Sequence, residues 1–269
     1  MNRRSPTRIP LLTAFWTALV CLHAPRLWAQ PTPAAVAAFN AYTQSIEARL
    51  VQQHRSSTNF LSVSSDPQTL ARLHSGKIIL ENLTPTHAET SGALLHHWRG
   101  TAFAPGATAA DFERLLTNFN AYPKNFSPEV LQASLISQQS GHIFATMRVR
   151  QRHVITVLMD TAYDITFGQL DAHHGYSISQ STRISELDPK TNRALSASEE
   201  HGFLWRLNTY WSYEERDGGL YLQIESVSLT RSIPTGLGWA LRPYIESIPR
   251  ESLDFTLRSA ITAIQKGPR

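Results

Sequence analysis

Cysteine is nearly absent from this chain. Cys21 is the single one in 269 residues, and it lies in an N-terminal stretch that reads as a removable leader. The chain beyond that leader can hold no disulfide, no thiol nucleophile and no Cys-ligated zinc or iron–sulfur site. A membrane-length apolar run is missing from the leader: Leu11–Leu22 falls short of the roughly 20 residues that span the hydrocarbon. With Arg3, Arg4 and Arg8 before it and Pro25 and Leu27-Trp28-Ala29 after it, the order is that of a secretory signal peptide cut after Ala29. Val20 is not the small residue that a lipoprotein signal places before its cysteine. The leader carries four of the 25 Lys and Arg and none of the 21 Asp and Glu, so the rest balances at 21 against 21. A basic footprint for nucleic acid is therefore also lacking. So are a Walker-type phosphate loop, a His-Glu-x-x-His and a Gly-x-Ser-x-Gly, which removes the commonest signatures of nucleotide, zinc-protease and serine-hydrolase chemistry. Gly236-Leu-Gly238 has no third glycine and says nothing about nucleotides.

The sequence after the leader is patterned in three parts. Residues 30–75 read as an N-terminal helical arm. Ala34–His54 carries a stripe of Val36, Phe39, Ile46 and Leu50, and a shorter helix from Asp66-Pro67 to Leu73 has its cap and first-turn proline. Ser56–Ser65 reads as a polar loop. Strand patterns begin at Gly76, with Lys77–Leu83 and Ala93–Phe103. Thr108-Ala-Ala-Asp111 then opens a helix as a capping box, with an apolar stripe of Phe112, Leu115, Leu116 and Phe119. Tyr122-Pro123 should stop it. From Val130 the chain alternates as strands: Val130–Ser137, His142–Arg150, Val154–Phe167 and Tyr176–Leu187. A final helix is expected from Pro249, with Leu253, Leu257, Ile261 and Ile264 in one stripe.

The last hairpin is the most informative stretch. Asp217-Gly218 is a strong two-residue turn signal, and it sets the register of Phe203–Arg231. Arg216 then faces Gly219, Tyr213 faces Leu222, Trp211 faces Ile224, Thr209 faces Ser226, Leu207 faces Ser228 and Trp205 faces Thr230. One face is apolar near the turn and mixes aromatics with hydroxyls farther away. A sealed core rarely collects hydroxyls, so this face is the expected ligand wall: Trp205, Leu207, Thr209, Trp211, Ser226, Ser228 and Thr230, with Leu253, Leu257 and Ile261 opposite.

The layout resembles the START-like helix-grip superfamily, with its polyketide cyclase/dehydrase and lipid-transport branches. The resemblance rests on Thr108–Phe126, on the meander from Val130, and on Ile233-Pro-Thr-Gly-Leu-Gly-Trp-Ala-Leu running on to Gln265. It implies an α+β fold over 76–269, a curved antiparallel sheet gripping a C-terminal helix, with a pocket between them. The helical break after the first strands is then a crossover that closes one end of the sheet. The implied function is an exported, secreted or periplasmic module that holds a hydrophobic or amphipathic small molecule such as a lipid, without cofactor. The alternatives are a cyclase/aromatase-type enzyme in the same pocket and an envelope interaction module docked by the arm.

Other groups carry weaker signals. His96-His97 and His173-His174 invite a metal reading, but neighbours on a strand point to opposite faces, so surface or capping roles are expected and metal is not. Arg148, Arg150 and Arg152 read as a solvated convex face, with a peripheral membrane-surface contact as the sharper alternative. Glu225, opposite Tyr210, reads as an exposed cross-strand pair, with a buried carboxylate of raised pKa as the alternative.

Overall fold

The computed structural model describes residues 30–63, 66–152, 156–232 and 238–267. The leader and its expected cut after Ala29 lie outside the described residues, as does most of the segment from Ile233 to Leu241. The strands are β1 (Ile79–Asn82), β2 (Glu89–Thr90), β3 (Ala93–Pro105), β4 (Val130–Gln139), β5 (His142–Arg152), β6 (Thr156–Asp171), β7 (His174–Leu187), β8 (Arg206–Arg216) and β9 (Gly219–Arg231). They form one antiparallel, nine-stranded sheet in the order β1-β3-β9-β8-β7-β6-β5-β4, with β2 beside β3.

β3 and β4 are neighbours in sequence, yet they lie near opposite edges of that order. α1 (Pro33–Gln53) and α2 (Pro67–His74) precede the sheet, and the chain between β3 and β4 crosses by α3 (Ala109–Thr117) and α4 (Tyr122–Asn125). The start of α3 is fixed by the expected box: Asp111 N donates to Thr108 Oγ1 at 3.2 Å and Thr108 N donates to Asp111 Oδ2 at 3.0 Å. Its end differs from expectation. α3 stops at Thr117, and Tyr122-Pro123 opens α4 instead of closing α3. Proline at a first turn gives up an amide that has no helical partner anyway.

The C-terminal helix α5 runs from Gly238 to Lys266, not from Pro249. Leu253, Leu257, Ala260 and Ile264 of α5 are buried in one cluster with Ala102, Leu222, Ile224, Trp211, Tyr213 and Phe112. Gly100 of β3 permits the contact: a Cβ there would lie 2.6 Å from Leu257 Cδ1 and 3.0 Å from Leu253 Cδ2. The sheet with this helix across one face, the grip face, is a helix-grip fold.

The arm does not merely precede the domain; it covers the sheet's other face. α1 buries Ala35, Phe39, Ile46 and Leu50 against Leu95, Tyr210, Val227 and Leu229. α2 brings Leu73 to Phe103 and Tyr221, joined by Phe60 and Leu61 from the stretch expected to be a polar loop. Period-two alternation in β3, β8 and β9 therefore sends apolar side chains to both faces, and the central sheet is a middle layer.

Candidate functional site

The hairpin register is as the Asp217-Gly218 turn dictates. Trp211 pairs with Ile224, Thr209 with Ser226 and Leu207 with Ser228. Asp217 and Gly218 both sit at positive φ, 57° and 74°, the conformation this turn requires. Pairing to β3 and β7 extends each pair into a row across the grip face. Near the turn, Ala102, Leu222, Tyr213 and Gly175 stand in line. Gly175 has no side chain because Tyr213 lies over it; a Cβ would fall 2.2 Å from the phenol oxygen. The next row is Gly100, Ile224, Trp211, Ser177 and Phe167. Phe112 meets both Trp211 and Tyr213 edge to face, at 5.0 and 5.2 Å between centroids. This end is solid core.

Farther from the turn the composition changes. One row runs Trp98, Ser226, Thr209, Ser179 and Ile165, and the row after it holds His96, Ser228 and Leu207. Trp98, Ser226, Thr209, Ser179 and Leu207 are all half-buried. The side chains of Ser177, Ser179, Thr209, Ser226 and Ser228 make no hydrogen bond to another described residue. Among the described residues, Arg150 Nε is the one buried side-chain polar atom without a partner. Each of these hydroxyl oxygens therefore touches space that a water molecule can reach, even on Ser177, whose residue is 3% exposed. A face of hydroxyls that open onto such space, beside Leu207, Ile165 and Tyr163, is half-wet and not a sealed core.

His96 and Tyr163 share this face. His96 is buried, and its Nε2 lies 3.3 Å from Thr230 Oγ1. Burial pushes its pKa down to about 4, so the ring is neutral at neutral pH. Burial likewise pushes Tyr163 up to about 12.

Most of the expected wall residues come together here. Leu207, Thr209, Trp211, Ser226, Ser228 and Thr230 lie on the grip face, Leu253 and Leu257 are buried across from it, and Ile261 packs half-buried on the same cluster. Trp205 does not join them. It lies just before β8, where the alternation no longer binds it, and its ring packs with Ala35, Phe39, Val227 and Leu229 under α1. Gly202, at φ +76°, lets the chain fold tightly there; a Cβ would lie 2.9 Å from the indole. Ser177 and Ser179 were readable as serines at every second position of β7.

The other expectations resolve on the arm side. His96 and His97 do point to opposite faces, but both are buried, at 3% and 4% exposed, instead of lying at the surface. His174 opens β7 and is held by Asp171 at 2.7 Å. Glu225 is 2% exposed, not an exposed pair with Tyr210. It accepts from Arg49 Nη2 at 2.5 Å, His97 Nε2 at 3.0 Å and Arg99 Nε at 3.1 Å. Burial alone would raise its pKa, but these three partners outweigh burial and hold it down to about 2. The expected alternative of a raised pKa is therefore reversed. Tyr210 donates instead to Glu47 of α1, at 2.9 Å. Arg148 is paired with Asp160 by two bonds of 2.7 and 2.8 Å, and Arg150 Nη2 donates to the Pro128 carbonyl at 3.2 Å. No group of three His, Cys, Asp or Glu residues gathers closely enough for a metal among the described residues.

Among the described residues, two surface clefts lie outside the grip. One of about 370 Å³ is bounded by Leu50, Val51 and His54 of α1 and by Tyr176 and Ile178 of β7. The other, of about 260 Å³, lies between Thr108 and the β8–β9 turn.

No protein-family model matches the sequence, and no curated protein matches it. Solved structures of START-type lipid-transfer proteins and aromatase/cyclases do align with the chain. The STAR-related lipid transfer protein from Xanthomonas axonopodis aligns at 14% identity and TM-score 0.45, over 69% of this chain and 98% of that one. The Zhui aromatase/cyclase from a Streptomyces species aligns at 10% identity and TM-score 0.46, over 65% and 96%. Human STARD10 aligns at 11% identity and TM-score 0.45, over 76% and 82%.

Proposed function

We propose that this chain is an exported binding module that holds a hydrophobic or amphipathic small molecule, lipid-like in size, between the grip face and α5. One observation carries the reading: five hydroxyls on the grip face lack protein partners among the described residues and open onto water-sized space, beside an apolar wall. A ligand with an apolar body and some oxygen would match both parts. Export is supported by the sequence alone, through the basic start, the short apolar run and the Leu27-Trp28-Ala29 end.

A second reading, an acid–base enzyme of the cyclase/aromatase kind in the same chamber, is favoured by His96 on the chamber wall. An imidazole held to about 4 is a weak base at neutral pH, so binding stands ahead of chemistry. Native mass spectrometry of protein purified from its own host tests the leading reading. A co-purifying small molecule that denaturation releases is the expected result. Protein that arrives empty and takes up no hydrophobic dye would overturn it.

A further inference from the structure

Three of the unpartnered hydroxyls form a line. Ser226, Thr209 and Ser179 face one another across β9, β8 and β7. Neighbouring strands lie about 4.8 Å apart, so the line is roughly 10 Å long with one hydroxyl about every 5 Å. Ser177 and Ser228 stand one row to either side. Trp98 and Ile165 close the two ends of the line, and Trp211 and Leu207 flank it.

A single-headed amphiphile fits this surface poorly. Its one polar group would engage one hydroxyl, and its methylenes would lie over the others. Those hydroxyls would lose their water and gain nothing in return, which lowers affinity. Filling the line requires oxygens spread along the ligand.

We propose that the ligand carries two or more hydroxyl or carbonyl groups along one edge, about 5 Å apart, which engage Ser226, Thr209 and Ser179 together. The apolar remainder of the ligand faces Leu207, Ile165 and the inner side of α5. This inference rests on the chamber reading and specifies what the chamber selects.

Displacement of the dye N-phenylnaphthylamine by two steroid alcohols tests it. One steroid carries three hydroxyls on one face; the other is its one-hydroxyl parent. The triol is expected to displace the dye at least about tenfold more tightly, since one matched hydrogen bond is worth about that factor. Thr209→Val and Ser179→Ala should each remove most of the preference by weakening the triol, while the one-hydroxyl parent, which no longer covers an unpaired hydroxyl, binds no more weakly than it does to the wild type. Should Thr209→Val fail to fold, Ser179→Ala carries the same comparison. Equal displacement by the two steroids, or a preference that survives both variants, would overturn the inference while leaving the chamber intact. A dye that never binds would sink the chamber reading, and this inference with it.

Discussion

Arg49 Nη2 of α1 lies 2.5 Å from Glu225 Oε2 of β9, which bolts the N-terminal arm to the sheet face opposite the grip face. Glu225 sits next to Ser226 in sequence, so one strand carries the arm's anchor on one side and a grip-face hydroxyl on the other.

Glu225→Ala should be far more damaging than Arg49→Ala. Removing the carboxylate leaves half-buried Arg99 and buried His97 beside each other without their shared acceptor. Breaking a buried pair in this way costs about 3–5 kcal/mol. Arg49 has a side chain 39% exposed, so water replaces part of what its loss removes, and about 1 kcal/mol is expected. Urea unfolding of both variants provides the check. Equal midpoints would mean that the cluster does not hold the arm.

The pH dependence should have two acid limbs. Burial depresses His54 and His96, each to about 4, whereas an unfolded histidine titrates near 6.5. The unfolded chain therefore binds more protons between those values, and stability should fall as pH drops from about 6.5 to about 4. Glu129, pushed up to about 7 by burial, works in the opposite sense over about 4.5 to 7 and offsets part of this limb. The second limb belongs to Glu225. Its depressed pKa of about 2 contributes stability above the unfolded value, and that is lost as pH falls from about 4.5 to 2. Melting temperatures from pH 8 to 2 should show both limbs. Replacing His54 and His96 with Gln should flatten or reverse the upper limb alone; an unaltered upper limb would refute the assignment.

Leu257→Asp should unfold the domain. Leu257 is fully buried against Gly100, and an unpaired carboxylate there costs several kcal/mol, comparable with the roughly 5–15 kcal/mol of a whole domain. Leu257→Ala should be milder, at about 2–5 kcal/mol. Circular dichroism melts separate the two outcomes. A wild-type melting temperature in the Asp variant would show that α5 does not seal the sheet.

Legibility in the sequence tracked how local each signal was. The Asp217-Gly218 turn determined the strand pairs from Arg216 back to Leu207 because a two-residue loop leaves no freedom of register. Thr108 and Asp111 likewise announced α3, since a capping box lies within four residues. The three-layer arrangement was not legible. α1 showed only its own stripe, and nothing local said that Phe39 would meet Val227. The burial of Glu225 was hidden for the same reason: its partners Arg49, His97 and Arg99 come from two other elements. Trp205 shows the limit of alternation, which binds a side chain only while its strand is paired.

Thr209→Trp should abolish dye and ligand binding while the protein stays folded. Thr209 lies at the middle of the hydroxyl line, half-buried, with its side chain free of hydrogen bonds to described residues. The substitution therefore breaks no internal bond. If the space in front of Thr209 is a chamber, an indole can occupy it and act as a resident ligand. The added apolar contact would offset the lost threonine packing, so the melting temperature should move by no more than about 4 °C, equivalent to about 1 kcal/mol for a domain of this size. If instead the space is a packing gap that closes in solution, the indole has nowhere to go. Overpacking would then cost about 1–3 kcal/mol and the melting temperature would drop accordingly. A folded variant that still binds N-phenylnaphthylamine as the wild type does would move the binding site away from this face.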